Sequence, residues 1–162
     1  MCKTGVDAIK ISSPFAESNF ISPVHYKEFV YPYEKKIIET IRNNNIHAYI
    51  HTCGAISDRL EIMFETGVTG IECLDPPPLG NVELSDPFNM IGGKGFIKGN
   101  IDSVNTLLFG SNDEIVADVK KRIEIGSKRY GFILSTACSI APNVKKENIQ
   151  IIRKTIDEEY SL

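Results

Sequence analysis

Hydrophobic and polar residues follow two alternating patterns along the chain, one typical of short buried strands and the other of amphipathic helices. Short runs rich in β-branched residues, bounded by glycine, proline or polar residues, predict five strands, at 5–12, 46–50, 70–74, 95–100 and 130–134. Between them, apolar residues at three- and four-residue spacing predict helices at about 25–44, 56–65, 82–91 and 112–126, and a last helix that starts at Lys146. We therefore expect five consecutive βα units.

The order of these elements predicts an α/β fold with parallel strands, because a short strand–helix–strand segment packs back onto its own sheet only with a right-handed crossover. The length suits a single domain, 1–162. No Gly-x-Gly-x-x-Gly motif follows the first predicted strand, which disfavours a dinucleotide-binding sheet. Local pattern does not decide between a doubly wound sheet and a barrel. Because a closed (β/α)8 barrel of the TIM type has eight units, five units would form only a partial barrel.

A partial barrel has consequences for assembly. It would leave two parallel edges unpaired and part of its core uncovered, which folded proteins avoid. We therefore expect the chain to be a fragment of a longer enzyme, or to associate as a homo-oligomer or with a separately encoded N-terminal half.

Composition and charge argue against several classes of function. The formal net charge is −3 and the basic residues are scattered among acidic ones, so the chain lacks the basic surface of a nucleic-acid-binding protein. No apolar run reaches the roughly 20 residues that cross a bilayer, and 1–10 lacks the residue order of a signal peptide. We expect a cytoplasmic protein without a membrane partner, in which the four cysteines favour chemistry or metal binding over disulfides.

Three potential metal ligands follow the ends of predicted strands, which is the edge where parallel α/β folds build their active sites. His51 and Cys53 come after the second strand, and Cys138 comes after the fifth. With one residue between them, His51 and Cys53 project to the same side of an extended segment. Three protein ligands leave one tetrahedral position open, as in catalytic zinc sites. The alternative is a histidine that bonds a neighbouring loop, with two cysteines packed as small hydrophobic residues.

Other polar residues near the same edge have two possible roles each. Asn100 and Asp102 follow the fourth strand and would either bind a polar part of a substrate or form an Asx turn. Glu17 would either supply a fourth oxygen ligand while substrate is absent or be an exposed loop carboxylate, and the second role is favoured. Cys73 also ends a strand and would either approach the metal or be a packed thiol, and the second role is favoured.

Several sequence blocks together resemble a known family. They are Gly5-Val-Asp-Ala-Ile9, Ile21-Ser-Pro23 with Phe29-Val-Tyr-Pro-Tyr33, His51-Thr-Cys-Gly54, Lys98-Gly-Asn-Ile-Asp102, and Ser135-Thr-Ala-Cys-Ser-Ile140 with Asn148. In this order they resemble the C-terminal half to two-thirds of the uroporphyrinogen decarboxylase superfamily, and more narrowly its methylcobamide:thiol methyltransferase branch. That branch binds zinc through His-x-Cys and a distant Cys, which match His51, Cys53 and Cys138.

The resemblance implies a reaction of one-carbon metabolism such as methanogenesis. A zinc-bound thiolate would attack the methyl group of a methylated corrinoid, the methylcobamide, which is often carried on a partner protein. The acceptor would be a thiol such as coenzyme M. One rival is a uroporphyrinogen decarboxylase-type lyase acting on a tetrapyrrole, although Ser12-Ser-Pro14 stands where decarboxylases tend to place an aspartate. Another rival is a truncated, non-catalytic barrel remnant that binds a corrinoid or a partner protein.

Overall fold

The structure, a computed structural model, describes residues 1–91 and 93–160. Its five strands form one parallel sheet in the order β1-β2-β3-β4-β5. They are β1 (Ala8–Ser12), β2 (His47–Thr52), β3 (Gly70–Cys73), β4 (Phe96–Ile101) and β5 (Phe132–Thr136). The predicted α/β class with parallel strands is confirmed. Two strands extend further than the sequence indicates, because β2 includes His51 and Thr52, and β5 continues to Thr136.

Helices follow each strand, as the βα pattern predicts, and the last helix comes after β5. They are α1 (Pro23–His25), α2 (Tyr31–Arg42), α3 (Leu60–Glu65), α4 (Ser85–Ile91), α5 (Asn112–Gly126) and α6 (Lys146–Tyr160). The predicted bounds of α5 and the start of α6 are confirmed, and Ser111 begins α5 with a capping box closed by Glu114. The predicted helix at 25–44 is instead divided, since a π-helical turn at Tyr26–Val30 separates α1 from α2. Pro32 lacks an N–H and therefore fits only the first turn of α2.

The core lies between the sheet and the helices that cover one of its faces. Alternate strand residues such as Ala48, Ile50 and Ile97 are fully buried there against helix residues that include Ile38 and Leu60. The opposite, concave face carries more polar and partly exposed side chains. Neighbouring strands covered by helices on one face are the arrangement of part of a (β/α) barrel, as predicted. Among the described residues, no helix has the length and apolar character needed to cross a membrane.

A fully buried arginine fixes the loop that follows β1. Arg59 donates from Nη1 to the Ala16 carbonyl at 3.1 Å and from Nη2 to the Ile21 carbonyl at 2.9 Å. Its Nε bonds Asp58, and its guanidinium lies 5.5 Å from the centre of the Tyr26 ring. The loop is therefore held against the chain segment that follows β2, where the candidate ligands lie.

Candidate metal centre

Four possible metal ligands come together at the carboxyl-terminal edge of the sheet. They are His51, Cys53, Cys73 and Cys138, whose ligand atoms all lie within 4.8 Å of one another. The Cys53 and Cys138 sulfurs are 3.3 Å apart, and Nε2 of His51 lies 3.2 Å from the Cys53 sulfur. The three ligands predicted from the sequence are thus neighbours in space, although 85 positions separate Cys53 from Cys138.

Strand geometry explains how such distant residues meet. His51 lies in β2 and Cys53 follows its end, so both project to the concave face of the sheet. Cys138 lies in the turn after β5, where the Ala137 N–H donates to the Ile101 carbonyl of β4 at 2.8 Å. Because β3 and β4 separate β2 from β5, only a curved sheet can bring Cys138 to Cys53. The curvature of the partial barrel therefore assembles the site.

A buried carboxylate orients His51. Oε1 of Glu72 lies 2.8 Å from Nδ1 of His51 and 3.0 Å from Nζ of Lys10, while Oε2 accepts a hydrogen bond from Nζ of Lys98 at 2.7 Å. Burial opposes ionisation of Glu72, but the hydrogen bonds from Lys98 and Lys10 keep its pKa below the usual range. A neutral His51 that donates from Nδ1 to Glu72 presents the lone pair of Nε2 to the cysteine sulfurs. Histidine ligands of zinc are held in this way.

The cysteine cluster favours one thiolate. Hydrogen bonding from Cys73, supported by Cys138 and His51, lowers the pKa of Cys53 to about 5 despite partial burial. Burial, together with the hydrogen bond to Cys53, raises the pKa of Cys138. Cys53 is therefore ready to bind a cation at neutral pH. For the other cysteines a metal ion must supply the charge that removes their protons.

Cys73 does more than pack. It is buried, as expected for a packed thiol, but its sulfur belongs to the ligand cluster. The thiol also donates to Oδ2 of Asp75 at 3.4 Å, and the same oxygen accepts the Gly54 N–H at 2.6 Å. Sequence reasoning singled out neither Glu72 nor Asp75. Glu72 lies in β3 directly before Cys73, and Asp75 lies two residues after Cys73.

Glu17 is buried, and the expectation of an exposed loop carboxylate is wrong. Its Oε2 accepts hydrogen bonds from the Asn19 and Ala55 N–H groups at 3.0 and 3.2 Å, so it joins the loops after β1 and β2. Glu17 is not a member of the ligand cluster. It packs on Gly54, where a Cβ would lie 2.9 Å from Oε2 and where φ is +77°. Glycine at this position thus lets Glu17 support the segment that carries Cys53.

Asn100, which lies within β4, and Asp102, which follows it, both bond the protein itself. Asn100 is fully buried, donates to the Leu74 carbonyl at 2.7 Å and accepts from Nη1 of Arg122 at 2.9 Å, so an Asx turn is wrong for this residue. Oδ1 of Asp102 accepts the N–H groups of Val104 and Asn105, each at 2.8 Å, which is the Asx-turn geometry. Both side chains thereby support the rim of the site.

The donor set fits zinc. Zn²⁺ takes cysteine sulfur at about 2.3 Å and histidine nitrogen at about 2.0–2.1 Å in a tetrahedron, which separates two sulfurs by about 3.8 Å. The Cys53 and Cys138 sulfurs, 3.3 Å apart, need to move by only about half an ångström to reach that spacing. Zinc would be held by His51, Cys53 and Cys138 with Glu72 behind the histidine, as in other zinc sites whose histidine donates to a carboxylate.

We expect the substitution Glu72→Gln to weaken zinc binding about 10- to 100-fold, the usual effect of losing the partner of a histidine ligand. Glutamine keeps the size of the side chain but removes the charge that fixes Nδ1 of His51 and balances Lys10 and Lys98. Competition with a chromophoric chelator measures the affinity. Glu39→Gln, an exposed change on α2, serves as the control. Equal affinities for the two variants would contradict a supporting role for Glu72.

Comparisons with known proteins show which proteins this chain is similar to. The chain is 29% identical over 150 residues to "Methylcobamide:CoM methyltransferase MtbA" of Methanosarcina acetivorans, covering 93% of this chain and 41% of that protein. It is 29% identical over 161 residues to "Methylcobamide:CoM methyltransferase MtaA" of Methanosarcina barkeri, covering 99% and 44%. It is also 28% identical over 148 residues to "Uroporphyrinogen decarboxylase" of Geotalea daltonii, covering 90% and 40%. The chain thus spans less than half the length of each relative.

A solved structure and a family match complete the comparison. A methyltransferase from Methanosarcina mazei superposes with a TM-score of 0.81 and 28% sequence identity, over 96% of this chain and 43% of that one. The sequence model of the family described as uroporphyrinogen decarboxylase (URO-D) matches residues 1–159, which confirms the resemblance inferred from the sequence blocks. The chain belongs to the uroporphyrinogen decarboxylase (URO-D) family.

Proposed function

We propose that this chain carries the zinc-binding part of a methyltransferase that moves a methyl group from a methylated corrinoid to a thiol. The observation that supports this most is the convergence of His51, Cys53 and Cys138, two of them with sulfurs 3.3 Å apart. Relatives named as methylcobamide:CoM methyltransferases align over nearly the whole chain and support the same reaction class. Coenzyme M is accordingly the first thiol to test.

The residues have distinct roles in this proposal. The chemistry that zinc supplies when bound is deprotonation of a coordinated thiol at neutral pH. Cys53 and Cys138 hold the ion, and His51, oriented by Glu72, contributes the third ligand. These side chains leave one tetrahedral position for the substrate thiol. No side-chain general base is needed, because the thiol loses its proton on binding.

The transfer itself is a simple displacement. The substrate thiolate sulfur attacks the methyl carbon of the corrinoid substrate, and a carbon–sulfur bond forms. The cobalt–carbon bond breaks and leaves its electron pair on cobalt, so the products are a methyl thioether and a cob(I)amide. The protein contributes position and charge, and the corrinoid contributes the leaving group.

A small cleft beside the ligands could admit the acceptor. Its volume is about 160 Å³, and its lining includes His51, Cys138, Lys10, Lys98 and Ser135. This space fits a thiol of a few heavy atoms. The two lysines outnumber the single carboxylate that they contact, Glu72, so the cleft favours an acceptor that carries a negative charge.

We also propose that other protein covers the open side of the sheet. Among the described residues, β1 and β5 each pair along one edge only, and Ile133 on β5 is 46% exposed. The rest of a longer chain, a second copy, a separately encoded N-terminal half or a corrinoid protein would each cover it. The native mass tests this, because a stable monodisperse monomer would contradict association of this chain.

The decisive test combines metal analysis with turnover. We expect the purified chain to contain one zinc ion per chain and to demethylate methylcobalamin, under anaerobic conditions, when coenzyme M is added. Cys138→Ala should lose both properties, whereas the control Cys2→Ala, in which the cysteine lies outside the cluster, should keep them.

Other outcomes would favour the two rival functions. Folded, metal-free protein that decarboxylates uroporphyrinogen would support the lyase. Zinc-loaded protein that binds a corrinoid but transfers no methyl group, even after the open sheet is covered by a partner, would support a non-catalytic remnant.

A further inference from the structure

We propose that Cys73 is a fourth protein ligand of the metal and the one that the substrate thiol displaces. This inference rests on the proposed function, because it presumes a metal at His51, Cys53 and Cys138. It adds a residue that the sequence pattern did not assign, and it gives the site a closed state with one nitrogen and three sulfur donors.

The backbone at the end of β3 turns Cys73 toward the other ligands. Strict alternation along a strand would place Cys73 on the face opposite to Glu72, which contacts His51 on the concave face. Cys73 has φ of 83° and Leu74 has φ of 61°, values in the left-handed region that non-glycine residues seldom adopt. The sulfur of Cys73 consequently lies within 4.8 Å of the other three ligand atoms. Backbone strain of this kind concentrates at functional sites.

The polar surroundings of Cys73 favour a ligand over an unrelated packed thiol. The side chain is buried beside His51 and two other cysteines, and it contacts the carboxylate of Asp75. Oδ1 of that carboxylate, Asp75, is buried without a hydrogen-bond partner in the described part of the chain. A buried carboxylate oxygen without a partner is costly unless a cation is nearby. A metal bound by Cys73 would lie beside Asp75 and offset its charge.

Asp75 also explains how Cys73 could leave the metal. The Cys73 thiol donates to Oδ2 of Asp75 at 3.4 Å, so a protonated Cys73 already has an acceptor next to the cluster. On arrival of a substrate thiol, its sulfur would bind the metal and the bond from the metal to the Cys73 sulfur would break. The proton of the substrate thiol would pass to the released Cys73 thiolate, and the resulting thiol would keep it and donate a hydrogen bond to Asp75. The number of thiolates on the metal and the net charge of the site stay the same.

The number of sulfur ligands tests this proposal directly. X-ray absorption of the zinc-loaded, unmodified chain should show three sulfur donors and one nitrogen donor. In the cobalt(II)-substituted chain, the sulfur-to-cobalt charge-transfer absorbance should fall by about one third in Cys73→Ser, as three thiolates become two. Cys2→Ser, with the same change of atoms outside the cluster, should leave the absorbance unchanged.

Addition of coenzyme M separates an exchangeable ligand from a fixed one. We expect the sulfur count to remain three in the unmodified chain and to rise from two to three in Cys73→Ser. Two sulfurs in the unmodified chain, or a charge-transfer band unaffected by Cys73→Ser, would overturn the assignment of Cys73 and leave the proposed function intact. A rise in the sulfur count of the unmodified chain would show that coenzyme M binds without displacing Cys73, and it would overturn the proposed exchange. An unmodified chain that binds no metal would overturn both proposals.

Discussion

Replacing Cys53 with alanine is expected to weaken zinc binding by about 10²- to 10³-fold. Structural zinc in small protein sites is bound with about 10–16 kcal/mol, so one of four ligands accounts for about 2.5–4 kcal/mol. Cys53 should be at the high end, because it contacts both His51 and Cys138 and its pKa is lowered to about 5. Its thiolate is therefore available without competition from protons at neutral pH.

Competition with a chelator of known affinity measures this loss, and Cys2→Ala provides a matched control outside the cluster. The same titration at lower pH gives a second readout. Zinc affinity of the unmodified chain should fall as the pH is lowered from neutral, because the metal must displace the proton of Cys138. The fall should become steeper below about pH 5, where Cys53 also gains a proton. Full zinc occupancy in Cys53→Ala at submicromolar free zinc would rule out the proposed centre.

Replacing Arg59 with alanine is expected to lower the free energy of unfolding by about 3–5 kcal/mol, the largest stability effect that we expect from a single substitution. The buried carbonyl of Ala16 would lose its donor, at about 1–3 kcal/mol, and the part-buried carbonyl of Ile21 would lose its donor at a smaller cost. The large side chain would also leave a cavity beside Tyr26. The bond to partly exposed Asp58 adds little to this estimate, because solvent screens it.

Urea denaturation monitored by circular dichroism measures the change, and Arg153→Ala is the matched control. Arg153 lies on α6 with its side chain 75% exposed and paired with Asp157, so its loss should leave the denaturation midpoint unchanged. Comparable midpoints for the two alanine variants would show that the hydrogen bonds from Arg59 to the loop after β1 are not needed for stability.

Most of the architecture could be predicted from the sequence because it depends on local pattern. Alternating and helical spacing of apolar residues located five strands and the helices between them, and the end of α5 was marked by Gly126. Helix division at Tyr26–Val30 was not predicted, because the sequence pattern of α1 and α2 continues through it. The observed ends of β2 and β5 also lie beyond the predicted ones, because pairing with a neighbouring strand extends each of them past its apolar run.

The candidate site was predictable only in part. His51 and Cys53 stand out because they share one strand end. Cys138 is a candidate because it follows another strand, and the resemblance to a family supports placing it beside them. Cys73 was assigned to packing, since the alternation of β3 directs it away from the site and only its left-handed backbone reverses that direction. Glu72 gave no signal of its own, because its role depends on Lys10, His51 and Lys98 from three other strands.

Three polar residues near the site show which side-chain contacts can be predicted from the sequence and which cannot. Asp102 makes a local turn, which depends on residues two and three positions away and can be anticipated from the sequence. Asn100 instead bonds Leu74 and Arg122, both more than twenty positions away. The same is true of Glu17, whose partner Ala55 lies 38 positions away. Long-range partners of this kind become visible only when the sheet is assembled.

The carboxylate of Glu72 links the ligand His51 to the shape of the whole sheet. It is contacted from β1 by Lys10, from β2 by His51 and from β4 by Lys98, so the spacing of four neighbouring strands determines how firmly it holds the histidine. A protein that binds across the concave face and stabilises this arrangement of the strands would therefore strengthen metal binding. Thermodynamic linkage requires the converse, and bound metal would raise the affinity for that protein by the same factor.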